Sequence, residues 1–77
     1  MAKFIANAKI ENLKIGDKFA CQSVRGTVLK TVDYPQHDVI AVRYTDENGR
    51  ECLSTYEHGT VVSLMAGEFA RTDQFAH

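Results

Sequence analysis

Seventy-seven residues, 44% hydrophobic and 25% charged, fit one small globular domain and exclude a disordered or fibrous chain. A formal net charge of −1 argues against a dedicated nucleic-acid binder, which is usually basic overall. A chain this short buries only about 60% of its unfolded surface, so closure of a sheet, a partner or a metal commonly supplements the thin core.

The even balance hides an asymmetry. Six basic residues (Lys3, Lys9, Lys14, Lys18, Arg25 and Lys30) against Glu11 and Asp17 give residues 1–30 a charge of +4, and three basic against eight acidic residues give the remainder −5. Two cysteines, Cys21 and Cys52, are too few for the disulfide framework of a small secreted domain. Met1 to Asn7 contains no apolar run long enough for a signal peptide, and no stretch is long enough to span a membrane. The expectation is a soluble, reduced, cytoplasmic protein that does not engage a membrane.

In chain order, KFIANAKI over residues 3–10 partly alternates and suits an edge strand or arm, although Ile5 breaks the pattern. ENLKIG over residues 11–16 reads as a turn that delivers the chain into a first barrel strand, Lys18–Ser23, with Phe19 and Cys21 on one face. Gly26 marks a bend or bulge before the strand Thr27–Val32, in which Val28 and Val32 share a face. Pro35 cannot donate to a ladder and belongs in the connection. Val39–Tyr44 is the strongest strand, with Ile40, Val42 and Tyr44 facing the core.

The turn Asp46-Glu47-Asn48-Gly49 admits two geometries. A type I′ turn on Asn48-Gly49 sets Asp46 against Glu51, whereas a type I turn with a Gly49 bulge sets Asp46 against Arg50. Opposite charges favour the second, by roughly 0.2–1 kcal/mol. The choice decides which of Cys52 and Leu53 faces inward. Glu51–Thr55, a turn at Tyr56–Gly59 and a last strand Thr60–Met65 complete the pattern. The tail, residues 66–77, carries Phe69 and Phe75 and allows one short helix.

The entry Leu13–Asp17, then Gly26-Thr27-Val28, then Val39–Tyr44 with its acidic turn resembles the SH3-like small barrels, in the order seen in Tudor and KOW-type domains. The likeness covers about residues 13–65. It implies a mostly β, closed five-stranded barrel within a single domain spanning residues 1–77, with an N-terminal arm (1–12) and a short C-terminal tail (66–77). It also points to Phe19, Tyr34, Tyr44 and Tyr56 as cage aromatics for a Tudor-type reader, and to loop contacts with nucleic acid or the transcription and translation machinery for a KOW-type domain. The expected core is Ile15, Phe19, Cys21, Val28, Val32, Ile40, Val42, Tyr44, Val62 and Leu64.

The chemistry-bearing residues are sparse. Cys21, Cys52, His37 and His58 lack the tight paired spacing of a structural zinc site and read as small thiols and loop imidazoles. Cys52 with His58 and Glu57 has the residue types of a nucleophile, base and orienter, but Cys52 lies in a strand where packing is the usual role. No phosphate loop, Ser-His-Asp pattern or paired-carboxylate motif is present. The expectation is a non-catalytic chain without metal or cofactor. The preferred reading is a protein–protein interaction module, an adaptor or an inhibitor of a larger machine, binding through Tyr34, Pro35, Tyr56, Phe69 and Phe75. The alternative is nucleic-acid binding through Lys14, Lys18, Arg25, Lys30 and Arg43, with Tyr34 or Tyr56 stacking on bases.

Overall fold

A computed structural model describes residues 3–67. Its strands are β1 (Lys3–Lys9), β2 (Lys18–Cys21), β3 (Val24–Tyr34), β4 (Val39–Asp46), β5 (Glu51–Glu57) and β6 (Val61–Ala66), with single 3-10 turns at Ile10–Asn12 and Pro35–His37. All neighbours pair antiparallel, in the order β1-β6-β2-β3-β4-β5. The protein is therefore mostly β, as its patterning implies. The expectations of a closed barrel and of a free N-terminal arm are corrected. The sheet is open and six-stranded, not a closed five-stranded barrel, because Lys3–Lys9 is no free arm but a strand laid on the outer side of β6. The tail from residue 68 on, with its expected helix, lies outside the described residues, among which no helix is long and apolar enough to cross a membrane.

One side of the sheet is the core. Ile40, Val42 and Tyr44 alternate inward on β4 and meet Phe19, Cys21, Val28 and Val62, all buried. Tyr44 sets its ring edge-on to Phe19, with centroids 5.5 Å apart and planes at 86°, a geometry worth about 0.5–1.5 kcal/mol beyond burial. Gly26 makes room for it. The residue sits inside β3, opposite Phe19 and Asp46, rather than at a bend.

The bend is at Leu29, where the β3–β4 register slips between Val28 and Lys30. A bulge adds one residue to one strand and so reverses the inside–outside alternation beyond it. Val28 points into the core, but Val32 emerges on the outer face and is only half-buried, which corrects its place in the expected core. Ile15 is also misplaced, at 77% exposed. Its segment is a tight turn in which the Asp17 carboxylate accepts the Lys14 amide at 2.9 Å and the Gly16 amide donates to the Val28 carbonyl at 2.8 Å. Leu13 and Ile10 fill the core instead. Leu64 packs against the cluster, half-buried.

The β4–β5 hairpin closes with the Asp46 amide bonded to the Arg50 carbonyl at 2.8 Å and Gly49 at φ +81°, the bulged type I geometry. One Asp46 oxygen accepts the amides of Asn48 and Arg50, each at 2.9 Å. The Arg50 amide bond is the leading cause that lowers the Asp46 pKa. This register turns Cys52, Ser54 and Tyr56 inward and Leu53 outward.

Candidate functional site

The outer face of β3, β4 and β5 carries a shallow pocket lined by chemically mixed side chains. The Leu29 bulge directs Lys30, Val32 and Tyr34 there, β4 adds Ala41 and Arg43, and the hairpin register adds Leu53. Cross-strand pairing sets Lys30 beside Arg43 and Arg43 beside Leu53, with Val32 beside Ala41 in the next row. These six residues enclose a shallow pocket of about 170 Å³. Ala41 forms a floor because its methyl leaves a gap that the longer neighbours wall in. Tyr34, 42% exposed, and Leu53, 63% exposed, stand as apolar walls, and Lys30 and Arg43 add two cations. Arg43 Nε lies 3.8 Å from Glu51 Oε1, but both side chains are more than half exposed, so that pair contributes about 0–1 kcal/mol and leaves the guanidinium available.

The register extends the cationic character. Lys18 pairs with Thr27, which pairs with Thr45, and Arg25 pairs with Ala20; all share this outer face. Four of the five expected nucleic-acid contacts (Lys18, Arg25, Lys30 and Arg43) are thus brought to one side, with the Lys18 ammonium bonded to the Gly67 carbonyl. Lys14 is not among them; it lies in the turn before β2. Of the expected protein contacts, Tyr34 belongs to the pocket and Pro35 is exposed in the adjoining 3-10 turn. Tyr56 does not join them. It pairs with Ile40 and packs half-buried against the core with its hydroxyl turned inward; burial raises its pKa, with Ser54 opposing. Phe69 and Phe75 lie outside the described residues. Ala41 reads as outward from the alternation of β4 and Leu53 from the bulged turn, but Val32 does not, because its outward placement depends on the β3 bulge that brings the three together.

A second constellation lies at the far end of β5. His58 Nε2 is 2.6 Å from Asp33 Oδ1 and Nδ1 is 2.8 Å from Asp38 Oδ1, while its amide donates to the Asp38 carbonyl at 2.9 Å. Two ionised carboxylates can both accept from the ring only when it is protonated, so this geometry favours the imidazolium form. The bond to Asp33 is the main cause that raises the His58 pKa, with Asp38 adding to it and partial burial opposing. On the other side of the same turn, Glu11 accepts the Gly59 amide at 2.9 Å; a bond to its own backbone amide, and after it this one, lower its pKa. The β5–β6 turn is thus tied to the β3–β4 hairpin and to the first 3-10 turn.

The sign of the pH effect follows from the raised value. The clasp stabilises fully below the unfolded histidine pKa of about 6.5 and fades as pH rises through the folded one. We predict that His58→Gln lowers the melting temperature at pH 6 and that the gap from the parent protein narrows by pH 9. A gap independent of pH over that range would mean that the imidazolium is not what holds the turn.

The remaining candidates are not assembled. Cys52 Sγ lies 3.8 Å from Asp46 Oδ2, and its strand separates it from His58 by six residues, about 20 Å of extended chain. Cys21 is buried, and burial raises its thiol pKa. Among the described residues, no group of three or more His, Cys, Asp and Glu side chains is placed to hold a metal ion. Phe19 and Tyr44 are buried core residues and Tyr56 is turned inward, so these aromatics form no exposed cage with Tyr34. Comparison with protein-family models, curated proteins and solved structures finds no significant match to this chain.

Proposed function

We propose that this protein is a non-catalytic interaction module that grips a partner protein through the outer face of β3–β5, acting as an adaptor or as an inhibitor of a larger machine. One observation carries the reading: the pocket over Ala41 joins an aromatic wall, aliphatic surface and two cations on adjacent strands. Tyr34 and Leu53 offer apolar contact for an anchoring side chain, and Lys30 and Arg43 select an acidic neighbour on the partner. The meander β2–β5, with β6 returning beside β2, supports an SH3-like descent in which β1 is an added edge strand. Two unpaired thiols suit a reduced, cytoplasmic setting.

A second reading is favoured by one specific placement. Lys18, Arg25, Lys30 and Arg43 share a face with the exposed ring of Tyr34, an arrangement suited to backbone phosphates and a stacked base of single-stranded nucleic acid.

Affinity capture from the native host's lysate, with and without nuclease, separates the two. We expect one stoichiometric protein to survive nuclease and to be lost with Tyr34→Ala, which at a hot spot of about 2 kcal/mol weakens binding roughly 30-fold. Material lost with nuclease and restored only at low salt would establish the nucleic-acid reading. Capture unaffected by both Tyr34→Ala and Arg43→Glu would remove this face from consideration.

A further inference from the structure

The two edges of the sheet, β1 and β5, are complementary to one another. Each is seven residues long, and among the described residues neither has a strand on its outer side. A long unpaired edge presents free amides and carbonyls that template the addition of another strand. The charges on the two edges are opposite. Lys3 and Lys9 flank β1, which has no acidic residue, and Glu51 and Glu57 flank β5, which has no basic one. Large apolar side chains also remain uncovered on both: Phe4 and Ile5 are 59% and 60% exposed on β1, and Leu53 is 63% exposed on β5.

We propose that the partner of each edge is the opposite edge of a second copy of this chain, so that β1 of one protomer pairs with β5 of the other, twice, about a two-fold axis. The register follows from charge and face. An antiparallel pairing with Lys9 opposite Glu51 brings two outward side chains together, since Lys9 pairs with outward Val61 and Glu51 with outward Thr45. Asn7 then stands opposite Leu53, and inward Ala8 and Ala6 stand opposite inward Cys52 and Ser54. The two alanines extend the floor of the core without crowding Tyr56. Past the β1 irregularity between Phe4 and Ala6 the alternation reverses, so Lys3, paired with Ala66, stands on the opposite face from Glu57 and adds positive charge at the end of the seam rather than a direct pair. The Glu51 side chain, already 3.8 Å from Arg43 but 61% exposed, remains open to Lys9. Two-fold closure uses both edges of both copies and leaves none free, whereas a head-to-tail chain would leave an edge at each end.

A charge-swap experiment on the full chain tests this. Sedimentation velocity from micromolar to millimolar protein should show a monomer–dimer equilibrium. Lys3→Glu with Lys9→Glu in one chain, or Glu51→Lys with Glu57→Lys in another, puts like charges along the seam and should raise the dimer dissociation constant at least about tenfold. Mixing the two variants should restore dimerisation, because each then offers an edge opposite in sign to the edge it meets. Amide NMR spectra of the separate variants would show that each remains folded. A parent protein monomeric at millimolar concentration, a dimer indifferent to both reversals, or variants that stay monomeric when mixed would each overturn the proposal; growth beyond the dimer would overturn two-fold closure.

Discussion

Val42→Asp should yield no folded protein. The Val42 side chain is completely buried, between Thr31 on β3 and Ser54 on β5 in the ladder, and the described core contains no buried charged or polar residue that could pair with a carboxylate. An unpaired ionised group in such a place neutralises rather than persists. Even neutral, it forfeits about 1.5–3 kcal/mol of aliphatic burial and leaves a polar group unsatisfied for about 1–3 kcal/mol more. A chain of this length has a total stability of about 4–12 kcal/mol, so the substitution consumes most or all of it. The expected result is an amide NMR spectrum collapsed to unfolded dispersion. Val42→Ala, which only removes methyl groups, should cost about 2–3 kcal/mol and keep the fold. A dispersed spectrum for Val42→Asp would show that β4 does not face the core as described.

Why Val42 could be placed from sequence and Val32 could not is a matter of what each depends on. Ile40, Val42 and Tyr44 alternate with Ala41 and Arg43 in a strand bounded by clear turns, and a half-buried antiparallel sheet enforces that period. The Asp46–Arg50 hairpin was legible because charge opposition and Gly49 agree on one turn. Val32 follows the Leu29 bulge, and nothing in Thr-Val-Leu-Lys-Thr-Val distinguishes a bulged run from a regular one; the extra residue is fixed by pairing with β4, a tertiary effect. Ile15 alternates with Leu13 as a strand residue would, yet Gly16 and Asp17 tighten the segment into a turn and expose it. The same logic divides the site. Tyr34 beside Pro35 could be read as an exposed aromatic, and Lys30 and Arg43 as basic candidates, but their meeting at one pocket rests on the bulge. The His58 clasp joins residues 20 and 25 positions apart and leaves no local pattern.

Gly26→Ala should be unusually costly for the addition of one methyl group. Glycine in the middle of a strand is ordinarily a liability, and replacing it stabilises by about 0.4–1 kcal/mol where the backbone permits, through the unfolded chain. Here no left-handed backbone forbids a side chain. The obstacle is packing. A Cβ at residue 26 would lie 2.5 Å from Tyr44 Cδ2 and 2.6 Å from the Thr45 carbonyl oxygen. Neither neighbour is the loose end of a flexible chain: one is a buried ring held edge-on to Phe19, the other is backbone in β4. Relief requires the ring to leave Phe19 and the β3–β4 ladder to spread. Overpacking of about 1–3 kcal/mol and a lost aromatic contact of about 0.5–1.5 kcal/mol sum to roughly 2–4 kcal/mol. For a domain of this size that lowers the melting temperature by about 10–25 °C. The cause can be separated from any general intolerance of the strand by a double-mutant cycle. With Tyr44→Ala already present the ring is gone, and Gly26→Ala should then cost markedly less, the carbonyl contact alone remaining. Additive losses in calorimetry would mean that Tyr44 does not need the space glycine leaves, and a melting temperature that rises with Gly26→Ala would mean that the two strands do not approach as closely as they do here.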